Sequence, residues 1–300
     1  MNYMLIVMLQ LLYIVPSLLL YLAEFCFIAF TKDPEFSTAF HYIFLARAPA
    51  DMMQVMVSLL TFRFPVAGWS AVLNKPYIAK IGFVASQYTC LLELFAQLSL
   101  SINRFTAITV PLKHNHWWTM KRTIILFIVC SVIALIPTAV RLPQEAGYIA
   151  IRGKIVPYLI HDEDQQINSY VSSCIYVFFG LTCFLLNVLA LLKHSQQRNL
   201  KLFEQQAFAR RLQLNLLVYS SSFTLAVISM TICQCVLALG IFSVGTDGHA
   251  LVIIVLTVSA DFFALSNPWL LLALSASFRS KFMKTTAIRG RHPVYSTYSS

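Results

Sequence analysis

The chain has 300 residues, of which 58% are hydrophobic and only 11% are charged, and it carries a formal net charge of +10 and a mean hydropathy of +0.72. Because an average soluble domain has about 25% charged residues, this composition excludes a soluble globular protein and predicts one that crosses a membrane several times. The positive charge does not indicate nucleic-acid binding, because the Lys and Arg residues lie in short segments between apolar runs, as in polytopic membrane proteins.

Seven segments are long and apolar enough to cross a bilayer, which takes about 20 residues of α-helix. The first starts near Met4 without a basic n-region or a small-residue cleavage site, so we predict a retained span and not a signal peptide. The second is the weakest, because Arg47, Pro49 and Asp51 interrupt its apolar run. In chain order the predicted spans are 4–30, 40–62, 78–103, 122–141, 169–192, 213–241 and 250–273.

The charges between the spans predict which ends face the cytoplasm. With the N-terminus outside, the cytoplasmic segments hold fifteen Lys and Arg residues and the outer segments hold six. The positive-inside bias therefore predicts an outer N-terminus and an inner C-terminus. The fold expected for 1–275 is an all-α bundle of seven transmembrane helices, in which 142–168 forms a long polar outer loop with the acidic run 162–164.

The segment 276–300 follows the last span on the predicted cytoplasmic side. Phe278 and Phe282 are four residues apart and have basic residues beside them. This spacing predicts a short amphipathic helix that lies on the inner leaflet with its aromatic face toward the lipid. The rest of the segment is predicted to be a flexible Ser/Thr-rich tail.

A short motif ends the third predicted span. Asn103, Arg104 and Phe105 are the last residues before a basic segment, and Pro111 follows seven residues after the Arg. A Pro at this place ends the helix and lets the chain turn into a short loop. The simplest interpretation of Arg104 is a side chain that reaches the lipid headgroups, as a lone Arg at the end of a span commonly does.

A second motif lies in the seventh predicted span, where Asn267 is followed by Pro268. A Pro within a span frees backbone carbonyls and creates a kink or hinge. The two motifs resemble the Asp-Arg-Tyr and Asn-Pro-x-x-Tyr motifs of G protein-coupled receptors. Asn103 stands where those receptors have the acid, and Phe105 and Leu271 stand where they have the tyrosines.

A larger set of residues resembles the nematode serpentine chemoreceptors of the class gamma superfamily, either class gamma itself or the neighbouring class V. The resemblance covers nearly the whole chain and is carried by Tyr13 and Pro16, Ser101–Ile108, Pro111, Trp117 and Trp118, Pro268, Ser275, Phe278 and Arg279. It implies a chemosensory receptor in the plasma membrane, and by family analogy in the cilia of sensory neurons. The implied partners are a heterotrimeric G protein and a small-molecule or peptide ligand of apolar or weakly polar character.

The resemblance also implies roles for individual residues. Asn103, Arg104, Phe105, Pro111, Asn267 and Pro268 would couple the receptor to its G protein. One departure concerns the outer loop, which many G protein-coupled receptors tie to the third helix by a disulfide. Neither 77–82 nor 142–168 contains a Cys, so this loop must be held by packing or be mobile.

Five ionisable side chains fall within the predicted spans, namely Glu24, Arg47, Asp51, Glu93 and Asp261. Arg47 and Asp51 are four residues apart, so they share a helix face and can pair. The three acids Asp51, Glu93 and Asp261 each lie about eleven residues, or about 16 Å, from a span end. Two interpretations follow: an internal ion pair that joins helices, or a polar cavity at mid-membrane, lined by these residues, that binds a ligand, a cation or a proton.

Two other classes of function compete with a receptor. An enzyme is not predicted, because the seven His are scattered and no phosphate-binding, zinc-binding or nucleophile motif occurs; no cofactor or metal is expected. A small ion-coupled transporter that uses Asp51, Glu93 and Asp261 is the alternative, because intramembrane acids suit ion coupling. Against it, the chain shows no internal repeat of the kind that transporters usually have.

Overall fold

The computed structural model describes residues 3–31, 33–36, 38–151, 154–198, 223–242 and 246–289. Six of its helices are long and apolar enough to cross a membrane, and the apolar helix Phe223–Ala238 is shorter within the described part of the chain. The start of the sixth predicted span, 213–222, lies outside the described residues. The helices are α1 (Tyr3–Phe30), α2 (Ala39–Val66), α3 (Pro76–Thr109), α4 (Pro111–Trp117), α5 (Met120–Ala139), α6 (Asp162–Arg198), α7 (Phe223–Ala238), α8 (Asp247–Leu274) and α9 (Ala276–Arg289).

Helix α2 passes through Pro49 and continues four residues beyond the predicted end of the second span. Its outer part is a π-helical turn, Leu59–Arg63. Pro65 has no N–H to donate to the carbonyl of Thr61, four residues earlier. The hydroxyl of Tyr148 donates a hydrogen bond of 3.2 Å to that carbonyl. The longer helix places Arg63 inside the bundle, whereas the sequence placed it in an outer loop.

The outer loop 142–168 contains a β-hairpin, which the all-α prediction lacked. Strand β1 (Ala146–Ile151) pairs antiparallel with β2 (Lys154–Leu159), and Ala146 lies opposite Leu159. Apolar side chains of the hairpin pack on the outer end of α3 and on the turn before it, so packing holds this part of the loop; the cluster contains Val72, Ala79, Ala146, Tyr148, Ile155 and Leu159. The seven cysteines, all in described segments, are free thiols.

The acidic run 162–164 also differs from the prediction. It forms the first turn of α6, which begins at Asp162 and not at 169. Carboxylates are favourable at this place, because the first turn of a helix carries a partial positive charge. The predicted loop is therefore shorter, and α6 projects beyond the predicted start of the fifth span.

Helix α3 extends past Arg104 to Thr109, so the Arg lies within the helix and not at its end. Pro111 is the first residue of the short helix α4, where the sequence predicted a loop. A Pro suits the first helical position because its missing N–H has no intrahelical partner there. The indole of Trp118 donates to the Thr106 hydroxyl at 2.9 Å, and Asn103 lies 3.2 Å from a ring nitrogen of His114, so the segment packs back on α3.

The amphipathic helix predicted after the last span is α9, but its aromatic face contacts the protein. Phe278 and Phe282 are buried, and both pack edge-to-face on Phe27 of α1, with ring centroids 5.6 and 5.4 Å apart. Phe36, in the turn between α1 and α2, lies against Phe278 at 5.8 Å. The face predicted to enter the inner leaflet therefore joins α9 to α1. The predicted flexible tail from 290 to 300 lies outside the described residues.

A charged contact on the surface reinforces this junction. Lys281 of α9 binds the carboxylates of Asp33 and Glu35 in the turn after α1. The Lys281 ammonium lowers the pKa of both carboxyls, and the two carboxylates raise the pKa of Lys281. The contact is lost only when the pH falls through the lowered carboxyl pKa values or rises through the raised Lys pKa, so it persists from about pH 5 to pH 10.

We expect Phe278→Ala to lower the free energy of unfolding by about 3 to 5 kcal/mol, because it removes a fully buried ring from the α1–α9 junction. Thermal unfolding of the purified protein in lipid nanodiscs measures the change. Phe30→Ala, at a ring that is 81% exposed, is the matched control and should have little effect. Equal losses for the two variants would contradict the packing described here.

Candidate functional site

The first site centres on the guanidinium of Arg47, which is buried between three helices. Its Nε lies 2.9 Å from Asp51 Oδ2, one turn along α2, as the spacing of the two residues predicted. One of its terminal nitrogens donates to the Gln97 side chain of α3 at 2.9 Å. The other donates to the backbone carbonyl of Phe263 in α8 at 3.0 Å, and the guanidinium lies 4.8 Å from the centroid of the Phe263 ring. One side chain thus joins α2, α3 and α8.

Asp51 is the acceptor at the centre of this network. The hydroxyl of Tyr21 donates to it at 2.6 Å, and the amide of Asn267 donates at 3.1 Å. The tyrosine adds α1 to the three helices that Arg47 joins. Asp51 is fully buried, and burial of a carboxylate is favourable only with such charge-assisted hydrogen bonds.

Pro268 explains why α8 has a backbone carbonyl without its usual helical donor. A proline cannot donate to the carbonyl four residues earlier, which here belongs to Ala264. The amide of Asn267 donates to that carbonyl at 3.2 Å while it also binds Asp51. Arg47 binds the adjacent carbonyl of Phe263. The predicted switch residues Asn267 and Pro268 are therefore part of one network with Arg47 and Asp51.

A second ion pair lies nearer the outer end of the bundle, and the sequence analysis missed one member. Arg63 of α2 lies 2.6 Å from Asp261 of α8, and both are buried. Tyr13 of α1 donates to Asp261 at 2.7 Å, and Arg63 also donates to the carbonyl of Thr257 at 3.1 Å. The missed signal is the apolar run Phe64–Val66, which extends the second span beyond the Arg.

Glu93 does not join either ion pair. It is buried on α3, and within the described residues neither of its carboxylate oxygens has a hydrogen-bond partner. The same holds for Glu24 on α1. Arg47 and Arg63 lie against Asp51 and Asp261, and Glu93 lies near the Asp51 carboxyl. A cation or proton site among these acids stays a prediction.

Two cavities lie at opposite ends of the bundle. The inner cavity, on the predicted cytoplasmic side, has a volume of about 330 Å³ and is lined by residues of α2, α3 and α8, among them Arg47, Asn103, Arg104 and Asn267. The outer cavity, of about 100 Å³, is lined by α2, α3, α6, α7, α8 and Leu159 of the hairpin. The three acids line neither cavity, and neither do Phe105 on α3 and Pro111 at the start of α4.

An all-helical bundle of membrane-spanning segments, with an Arg of the third helix facing an inner cavity and a Pro in the last span, defines a seven-helix membrane protein of the receptor type. The family model described as "Serpentine type 7TM GPCR chemoreceptor Srv" matches residues 10–288, and the chain belongs to this family. Of the two neighbouring classes that the sequence resembled, the match is to class V.

A curated relative agrees with the family. The chain is 29% identical over 103 residues to "Serpentine receptor class V-1" of Caenorhabditis elegans, and the alignment spans 33% of each protein. Because the alignment covers a third of that relative's length, it supports the class of protein and carries no ligand or partner with it. Membership of a chemoreceptor family also favours a receptor over the enzyme and transporter alternatives.

We expect Arg47→Met to lower the free energy of unfolding by about 3 to 5 kcal/mol, because it leaves the Asp51 carboxylate buried without its counter-charge. The double variant Arg47→Met/Asp51→Asn should lose less than the single variant, since both charges are then removed. Thermal unfolding in nanodiscs gives both values. Arg122→Met, at an exposed Arg, is the control; an Arg47→Met protein as stable as this control would refute a structural role for the pair.

Proposed function

We propose that this protein is a plasma-membrane chemoreceptor that binds a small signal at its outer end and activates a heterotrimeric G protein at its inner end. The observation that carries the proposal is the position of Arg104. Its side chain lines the inner cavity of a bundle that belongs to a chemoreceptor family. Because α3 continues past Arg104, the residue lies within the helix beside this cavity and not at a helix end.

The inner cavity has the character of a docking groove for a helix. One wall is apolar and comes from α8, through Leu270, Leu271 and Leu274. The opposite wall contains Asn103 and Arg104 of α3. An amphipathic helix with apolar anchors and a polar end fits a groove of this kind. A helical terminus of a G protein is the partner that the family suggests.

The buried network offers a route by which the inner cavity would change. Arg47 and Asn267 line this cavity, and both also contact Asp51. A movement of α8 at Pro268 would therefore alter the cavity wall and the network together. We infer that the ligand shifts the population between two arrangements of α8, which requires only that it binds one of them more tightly.

The size of the outer cavity bears on the ligand. Its volume of about 100 Å³ is smaller than the cavities of about 150 Å³ that accept a benzene molecule in a protein core. This favours a small molecule over a peptide as the signal.

Arg104→Ala should abolish agonist-stimulated nucleotide exchange on a G protein panel, because it removes the charged contact that we propose between α3 and the G protein. The measurement is uptake of labelled GTP analogue by membranes, after screening the wild-type protein with small organic molecules. Lys75→Ala, at an exposed Lys on the outer end, should leave exchange unchanged. Full exchange in Arg104→Ala would contradict the proposal. An ion current that depends on Glu93 or Asp261, without exchange, would instead support a transporter.

A further inference from the structure

The outer cavity has one polar side, built mainly from a single face of α6. Gln165, Asn168, Ser169, Ser172 and Tyr176 line it, and their spacing of three, four and seven residues places them on one side of the helix. Polar residues of α3, Ser86 and Gln87, continue this side. The cavity therefore presents several amide and hydroxyl groups at one place, within a bundle whose surface is mainly apolar.

The remaining lining combines apolar side chains of α7 and α8 with the polar residues Gln234, Thr257, Gln54 and Ser58. Helices α7 and α8 contribute Met230, Leu237, Ile253 and Leu256. A ligand that contacts both kinds of group has a polar end and a hydrocarbon end. The amides and hydroxyls of the lining bind one another or neighbouring side chains, as the Ser172 hydroxyl does with Gln87 and the Asn168 amide with Gln144.

Arg141 lies at the polar side, just after the end of α5. Its terminal nitrogens donate to the Ser172 hydroxyl at 3.2 Å and to the carbonyl of Phe83 at 3.4 Å. Both acceptors are neutral, and both contacts are long for an arginine. Among the described residues, no carboxylate lies within ion-pair distance of its guanidinium.

Two buried arginines of α2 show what Arg141 lacks. Arg47 and Arg63 have carboxylate oxygens at 2.9 and 2.6 Å, respectively. A guanidinium has five N–H donors in a planar fork that matches the two oxygens of a carboxylate. Arg141 uses this fork for two weak contacts and faces a cavity. Its natural partner is an anion that enters the cavity from outside.

We infer that the ligand of the outer cavity is a small amphiphilic carboxylate, whose anionic group binds Arg141 and whose short hydrocarbon part lies against α7 and α8. The inference rests on the proposed receptor function and departs from the expectation of an apolar or weakly polar signal. The cavity volume of about 100 Å³ limits the ligand to roughly four to six non-hydrogen atoms.

Thermal unfolding of the full-length protein in nanodiscs tests the inference without any G protein. The probes are acetate, propionate and butyrate at pH 7, each compared with its amide. The acids should raise the unfolding temperature in a saturable manner, with butyrate more effective than acetate, and the amides should not. Measurements on the wild-type protein are enough to overturn the inference. They would do so if the amides stabilised it as well as the acids, or if the acids had no effect.

Variants locate the binding. Arg141→Gln should weaken acid binding about ten- to hundredfold, because it removes a charge-assisted hydrogen bond, and Arg141→Lys should retain an intermediate affinity. Lys75→Gln removes the same charge from the outer surface and should bind like the wild type. Equal binding by Arg141→Gln and the wild type, or an equal loss in Lys75→Gln, would refute a site at Arg141.

The two proposals fail in different ways. A protein that binds butyrate through Arg141 but never promotes nucleotide exchange would refute the G protein proposal and leave this one standing. A protein that promotes Arg104-dependent exchange in response to a neutral molecule, and binds none of the acids, would refute the carboxylate site alone.

Discussion

The structure depends on the way in which one buried cation, the guanidinium of Arg47, is neutralised in a solvent that contains no water. A charge at membrane depth is tolerated only when protein groups surround it. Asp51 supplies the opposite charge, and Gln97 and the carbonyl of Phe263 accept the remaining hydrogen bonds. These partners belong to α2, α3 and α8, so the electrostatic requirement of one side chain fixes the positions of three helices.

The same requirement determines where α8 is free to bend. Pro268 removes a backbone hydrogen bond, and lipid offers no replacement for it. Asn267 and Arg47 supply donors to the carbonyls of Ala264 and Phe263. Asp261 lies two helical turns from Pro268 toward the outer end of α8, and it binds Arg63 and Tyr13. Helix α8 is thus attached by ionic contacts above the proline and by the Asn267 amide beside it, which makes the proline the place where it can change shape.

The features that depend on local sequence pattern could be predicted. The features that depend on a contact with a residue distant in the chain could not. Hydropathy was enough to predict a seven-helix membrane protein, and the four-residue spacing was enough to predict the ion pair of Arg47 with Asp51. Arg63 was placed outside because a span boundary is uncertain by several residues and its partner lies in another helix. The hairpin was not predicted, because the sequence of residues 142–168 indicates one polar loop. Phe278 has the spacing of a lipid-facing residue, and only the tertiary position of Phe27 decides that it faces protein.

Helices α2, α3 and α8 line both cavities, and α8 carries the proline between them, which suggests how a ligand at one end would act at the other. Ile253, Leu256, Thr257 and Ala260 of α8 line the outer cavity, and Asn267, Leu270, Leu271 and Leu274 line the inner one. Between them lie Asp261 and Phe263, which carry the contacts with Arg63 and Arg47. A ligand that draws α8 toward Arg141 would act on Ala260, beside Asp261, and would change the strength of the Arg63 pair before any change at the proline. A ligand that binds one arrangement of α8 more tightly at the outer cavity would therefore also move the wall of the inner cavity that contains Asn267.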